Sequence, residues 1–280
     1  MVKGIPSSWL AALPESLKQS ISGFELVHQG RADTCFLATS SGLELFAKQA
    51  NIQTLATERA ALELLAEHTA ITAFLTPKLH AVTNSLLLTN KVQGNSILPS
   101  LDSLVSSGDI ALALAQLHQF DVLDLGVDTA EFSLPTPANF ELFLTKAGVE
   151  AQLIDQLLLR LDKELATIAR IPVQLGFIHG DLTLDNWLIT AEGKLIILDW
   201  EFASLRDVRW DLATICQELP LSSTQISEFV KSYQAQIPQP VADFELGLSA
   251  WRFVYSTVCF IWAVQEQHKV ERYLTQLKQA

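Results

Sequence analysis

Residues 177–201, FIHGDLTLDNWLITAEGKLIILDWE, constrain this chain more than any other stretch. Residues 187–190 (WLIT) and 195–198 (LIIL) are short, β-prone apolar runs joined by Ala-Glu-Gly-Lys. Two such runs around a glycine-containing turn read as a β-hairpin. Asn186 enters the first strand and Asp199 leaves the second, so their side-chain oxygens fall at the same hairpin end. Just upstream, His179, Asp181 and Asn186 stand in the spacing H-x-D-x-x-x-x-N.

These residue types suit one kind of chemistry. When a hydroxyl attacks the γ-phosphoryl group of a nucleotide, one carboxylate must orient it and take its proton. A second carboxylate and an amide oxygen must hold Mg²⁺ against the phosphates. Asp181 fits the first role, with Asp185 four residues on as a competitor. Asn186 and Asp199 fit the second. The spacing is that of a kinase catalytic loop followed by a metal-binding aspartate.

HGDLTLDNWL followed by LIILDWEFA resembles the aminoglycoside phosphotransferase and choline kinase superfamily of small-molecule kinases. The ending Asp199-Trp200-Glu201 looks most like bacterial thiamine kinase and choline kinase-like proteins. Protein kinases usually carry Arg between the His and Asp and end in D-F-G; Gly180 and Glu201 therefore argue against a protein substrate. The resemblance implies an α+β, bilobal, protein kinase-like fold. It implies a β-rich nucleotide-binding lobe over residues 1–92 and a mainly helical catalytic and substrate-binding lobe over 93–280. It also implies ATP and Mg²⁺ as cofactors, and it favours Asp181 over Asp185 as the base. Asp185 then turns the chain or meets substrate, and Glu201 meets substrate. His179 and Asp211 become structural support, with Asp211 bracing the catalytic loop from the first turn of a helix.

The upstream chain reads in the same order. Pro6 and Pro14 break an amphipathic start. Strand candidates 24–28, 35–39 and 43–47 form a meander that runs up to Lys48. The resemblance places the Gly30 turn over the phosphates. It assigns Lys48 to the α- and β-phosphates, paired with a glutamate on the next helix. Residues 57–67 (TERAALELLAE) are that helix, and Glu58 is the expected partner rather than Glu63 or Glu67. After strands over 77–82 and 85–89, the resemblance makes Asn90 to Val92 a hinge whose backbone meets adenine. Gly94 would let the chain turn onward.

Downstream the reading is helical. It has helices over 110–120 and 150–169, Asn139 capping a helix over 140–146, a turn at 204–207, and a helix opening near Arg209. His118 reads as a packed, hydrogen-bonded histidine. The last helices cover 222–236 and 240–273. Trp251, Tyr255, Trp262 and Glu266 share one helical stripe at roughly 100° per residue. Such a stripe suits a quaternary ammonium or thiazolium through cation–π attraction. A packed core is the more usual home of such residues.

Composition narrows the class. With 49% hydrophobic and 18% charged residues over 280 positions, the chain is globular. Its formal charge of −12 disfavours nucleic-acid partners and suits a cationic acceptor. Cys35, Cys216 and Cys259 lack zinc or disulfide spacing, so a reducing, cytoplasmic setting is expected. The N-terminal residues lack the apolar core of a secretory signal, and the apolar run 253–264 is too short for a bilayer, so no membrane role is expected. The expected activity is phosphorylation of a hydroxyl on a small, cationic metabolite such as thiamine, choline or ethanolamine. The alternatives are an aminoglycoside or sugar kinase, or a nucleotide-binding pseudokinase scaffold.

Overall fold

The computed structural model describes residues 5–28, 33–67, 72–97, 106–120, 122, 133–238 and 242–279. Two short helices come first, α1 (Ser7–Ala12) and α2 (Glu15–Lys18). Pro6 and Pro14 stand at their N-caps, so the prolines start helices as well as interrupting the chain. The meander is β1 (Ile21–His28), β2 (Asp33–Thr39) and β3 (Glu44–Gln49). Then come α3 (Ile52–Glu67), β4 (Phe74–Leu75), β5 (Leu79–Val82), β6 (Leu86–Asn90) and β7 (Asn95–Ser96). Helices α4 (Ser107–His118), α5 (Pro137–Lys146) and α6 (Ala151–Arg170) lead to β8 (Leu175–Ile178). A 3₁₀ turn at Leu184–Asn186 opens the hairpin β9 (Trp187–Ile189) and β10 (Leu195–Ile197). The chain continues through β11 (Ser204–Asp207), α7 (Arg209–Glu218), α8 (Ser223–Gln236), α9 (Phe244–Glu266) and α10 (Val270–Gln279). The fold is α+β, as the kinase-like resemblance implied.

The described residues gather into two compact units. One draws on Met1–Val105, Val122–Ala130 and His179–Ser204, the other on Ser106–Asp121, Glu131–Ile178 and Leu205–Ala280. This division differs from the expected break between residues 92 and 93. The hairpin at 187–197 joins the N-terminal unit because its strands complete a sheet there, in the order β4-β10-β9-β7. β10 runs parallel to β4 and antiparallel to β9.

In the first unit, β1-β2-β3-β6-β5 form an antiparallel sheet. Side chains alternate across a strand. Cys35, Leu37, Leu45, Ala47, Leu86 and Leu88 therefore gather on one face, closed by Trp9 and Leu13. Each large side chain buried there contributes about 1.5–3 kcal/mol. The neighbours of Ala47 along β3 point the other way, and one of them is Lys48. Helix α3 buries Leu55, Glu58, Leu62 and Leu65, a stripe at helical spacing that carries one carboxylate among leucines.

The second unit is built on helices α4 to α10, with α9 packed on α6, α7 and α10. Helix α9 runs 23 residues, well beyond the apolar run read from the sequence. It is long and apolar enough to cross a membrane by composition, yet 67% of its most apolar window is buried inside the protein. Phe140 meets Phe260 edge-on at 6.0 Å in this core.

Four local expectations change. Thr136, not Asn139, caps α5: its hydroxyl accepts the Asn139 N–H at 3.2 Å, and Pro137 takes the first helical position. The predicted turn at 204–207 is β11, which pairs with β8. The last apolar stretch breaks into α9 and α10 where Gln267 and Lys269 turn left-handed, at φ 54° and 58°. Gly94 is needed for space: a Cβ there would lie 2.9 Å from Leu188 Cβ, and its φ is not among the positive ones.

Candidate active site

The hairpin fixes the chemistry-bearing side chains by backbone pairing. Ile197 faces Trp187 across the ladder, and the Leu198 N–H donates to Asn186 O at 3.0 Å. Asn186 and Asp199 thus leave the hairpin at one end. Trp200 is fully buried; its Nε1–H donates to Ile197 O at 3.2 Å and its ring stacks on Phe74 at 6.2 Å. Its neighbours in sequence, Asp199 and Glu201, both reach the same ammonium. Asp199 does so with a left-handed backbone, φ 62°, a conformation that aspartate tolerates better than most residues.

His179 ties the loop to the strand end. Its Nδ1 accepts the Asp181 N–H at 3.2 Å, so its Nε2–H donates to Leu198 O at 2.8 Å. Its ring lies edge-on to Trp200 at 4.6 Å. Asn186 Nδ2–H donates to Asp181 O at 2.8 Å and to Asp181 Oδ2 at 3.3 Å. That leaves Asn186 Oδ1 without a hydrogen bond among the described residues. Asp185 is exposed on the 3₁₀ turn.

Lys48 is buried, and three carboxylates meet it: Glu58 Oε2 at 3.0 Å, Asp199 Oδ1 at 2.5 Å and Glu201 Oε2 at 2.5 Å. Burial works to lower its pKa, but Glu58, Asp199 and Glu201 outweigh burial and hold the pKa above the usual lysine range. Glu58 is shifted toward its neutral form. Burial first, with Asp199 and Glu201 adding to it, pushes its pKa up to about 7 against the pull of Lys48. Glu63 pairs with Arg59 on the exposed side of α3, and Glu67 is exposed.

This donor set fits a hard divalent cation. Carboxylate oxygens of Glu58, Asp199 and Glu201 lie within 4.8 Å of one another, and Asn186 offers its amide oxygen nearby in the sequence motif. The Lys48 ammonium sits among the three acids and neutralises part of their charge.

The model of the phosphotransferase enzyme family matches residues 24–244 of this chain. The chain belongs to that family. Protein LicA of Haemophilus influenzae is 30% identical over 95 residues; the match spans 32% of this chain and about a third, 35%, of the relative. The choline kinase LicA from Streptococcus pneumoniae has a similar fold, with TM-score 0.67 and 17% identity over 93% of this chain and 95% of the other. So does the macrolide 2'-phosphotransferase MphH from Brachybacterium faecium, with TM-score 0.64 and 19% identity over 97% and 98% of the two chains. The chain shares the kinase-like fold of the choline kinase and the macrolide phosphotransferase.

The other expected site residues have these surroundings. Gly30 lies outside the described residues. The Asn90 N–H donates to Lys78 O at 2.9 Å, and Asn90 Oδ1 accepts the Lys78 N–H, so Asn90 does not offer its amide hydrogen to a ligand. Val92 makes no backbone hydrogen bond among the described residues and keeps the hinge position open. Asp211 is fully buried in the helical unit, 3.2 Å from His118 Nε2, while His118 Nδ1 lies 2.8 Å from Tyr233 Oη.

The aromatic stripe on α9 does not form a common face for a substrate. Trp251 and Tyr255 are buried. Trp251 Nε1–H donates to Asp207 Oδ2 at 3.1 Å and Tyr255 O–H donates to Glu218 Oε1 at 3.0 Å. Trp210 stands edge-on to both rings, at 5.8 and 5.3 Å. Trp262 is half-buried beside His268, and Glu266 is exposed. Interior packing sets the first half of the stripe and solvent the second. Sequence reading missed the contact of Glu201 with Lys48; the signal was the i, i+2 spacing of two acids about a tryptophan that a core would bury.

Proposed function

We propose that this phosphotransferase moves the γ-phosphoryl group of ATP to the hydroxyl of a small cationic alcohol of the choline or ethanolamine kind, with thiamine as a larger candidate. One observation carries this reading. A buried Lys48–Glu58 pair, the Asp199 carboxylate and the hydrogen-bonded Asp181–Asn186 pair all belong to one compact unit. The resemblance to LicA supports the substrate class.

In this reading Asp181 orients the acceptor hydroxyl and takes its proton. The acceptor oxygen bonds to the γ-phosphorus, the bridging bond to the β-phosphate breaks, and its electron pair leaves with ADP. Lys48 steadies the α- and β-phosphates, and Glu58 holds Lys48 in place. Asn186 Oδ1 and Asp199, with Glu201 beside them, would hold Mg²⁺, which offsets phosphate charge when bound. His179 keeps the loop in register with the strand end.

ADP release measured over choline, ethanolamine, thiamine, sugars and aminoglycosides tests the reading. Asp181→Asn should cut turnover by about 10²–10⁴ while nucleotide affinity stays within about twofold. Near-normal turnover in Asp181→Asn together with its loss in Asp185→Asn would move the base to Asp185. Nucleotide binding without transfer to any alcohol would leave a scaffold.

A further inference from the structure

Helix α9 stops at Glu266, although its sequence gives it no reason to stop. Residues 265–279, QEQHKVERYLTQLKQ, contain no Gly, Asn or Pro, the residues that ordinarily close a helix. Gln, Glu, Lys, Arg and Leu dominate the stretch, and all are good helix formers. The chain breaks all the same, with Gln267 and Lys269 in the left-handed region at φ 54° and 58°. Neither is a type that enters this region easily. We propose that the break is a hinge for helix exchange, and that α10 of one copy docks on α7 of a second copy of this chain to form a dimer. None of the residues given a part in phosphoryl transfer is involved.

The hinge supplies the drive. A left-handed residue other than glycine persists only where its surroundings hold it. Residues 265–269 are all exposed. The His268 N–H donates to Ala263 O at 2.9 Å, and its ring lies edge-on to Trp262 at 6.3 Å. The docking of α10 does the rest of the holding. Once α10 undocks, residues 267–269 are free to become helical. Helices α9 and α10 then join into one helix from Phe244 to Gln279, about 54 Å long. Glu266 and Lys269 come to stand as an i, i+3 pair of opposite charge. The join relieves both left-handed residues, but it carries α10 away from its own α7. Short hinges under strain favour exchange between copies for this reason.

The slot on α7 selects the occupant. The Glu218 carboxylate is buried there; Oε1 accepts from the Tyr255 and Tyr273 hydroxyls at 3.0 Å, and Oε2 accepts from Arg272 Nη2–H at 3.0 Å. Arg272 Nη2–H also donates to Glu218 O at 3.2 Å, and Gln276 Nε2–H to Gln217 O at 2.7 Å. Helix α10 thus closes the last carbonyls of α7, and it buries Tyr273 and Leu277. With α10 gone, Glu218 loses its cation and one of two hydroxyls, which is costly for a carboxylate built into a core. A replacement must bring a guanidinium, a phenol and an amide at helical spacing, with an apolar anchor. The α10 of a second copy brings all of these and repeats every bond of the closed form. The closed monomer therefore prevails in dilute solution and the exchanged dimer grows with concentration.

Light scattering on the full-length protein over a concentration series tests this. Dimer should appear as concentration rises. Gln267→Gly combined with Lys269→Gly frees the left-handed break of strain and weakens the continuous helix. That variant should melt no lower than wild type. Its dimer dissociation constant should rise by about a hundredfold, about tenfold from each of the two hinges in the dimer. A second arm mixes isotopically light and heavy full-length protein while dilute, each carrying a photo-reactive residue in place of Gln276, and then concentrates the mixture. Illumination of the dimer should join residue 276 of one label to α7 of the other.

Mixed-label links in the dimer, absent from the monomer, support the exchange. Monomer at every concentration overturns it. So does a dimer whose dissociation constant is unchanged by the two glycines, or one in which residue 276 links only to α7 of its own label.

Discussion

Glu58 shows how one side chain carries information in both sequence and structure. Its place among Leu55, Leu62 and Leu65 points it inward, so a partner cation is required, and Lys48 supplies one at 3.0 Å. That pairing was legible through the resemblance, whose members carry a glutamate just before an A-L-x-L-L pattern; the structure adds that Glu58 lies on the buried stripe and Glu63 and Glu67 do not. The second and third acids on Lys48 were less legible, because the reach of Glu201 depends on Trp200 being buried. Crowding has a consequence for pH. The folded pKa of Glu58 is about 7 against 4.5 for the free group, so the folded state binds the extra proton. Stability from this group is full below about 4.5 and is lost as pH rises through about 7. Melting temperatures of the metal- and nucleotide-free protein, taken from pH 5 to 8, should fall with pH relative to those of Glu58→Gln. Parallel curves for the two proteins would show that Glu58 ionises freely.

At the scale of elements, the loop and hairpin of residues 177–201 were readable because turn chemistry and strand propensity agree there. Helix boundaries were less so. Thr136 and Asn139 are both good caps by type, and only backbone geometry chooses Thr136. Gly180 shows the same limit from the other side. Its presence where protein kinases carry Arg was visible; its reason was not. Gly180 sits at φ 88° with Phe202 O pressed against it, so no side chain fits. Gly180→Ala combines left-handed strain of about 1 kcal/mol with a backbone clash. It should displace the loop and reduce kcat by on the order of 10²-fold. Gly42, at φ 84° with nothing within 4 Å, is the control: Gly42→Ala should cost about 1 kcal/mol of stability and leave kcat unchanged. Similar kinetics in the two variants would separate the Phe202 contact from the loop's geometry.

For the whole molecule, the division of labour differs from the one composition suggested. Charge and an aromatic stripe pointed to the late helices as the place for a cationic acceptor. The stripe could not be resolved from sequence, because a core face and a ligand face have the same 3.6-residue period. Burial separates them. Trp251 is 8% exposed and holds Asp207, which also takes a 2.8 Å bond from Arg209 Nε–H. Tyr255 and Tyr273 both donate to Glu218 Oε1 at 3.0 Å, and Arg272 meets Oε2 at 3.0 Å. These are polar ties through a packed interior, made within the helical unit, although Arg209 Nη1 keeps no hydrogen bond among the described residues. Trp251→Leu removes a ring and one hydrogen bond but leaves Asp207 paired with Arg209. The expected loss is about 2–4 kcal/mol, a fall in melting temperature on the order of 5–10 °C. In the folded fraction, KM for a cationic alcohol should stay at its wild-type value. A Trp251→Leu protein with unchanged melting temperature and a raised KM for choline would return the acceptor to α9.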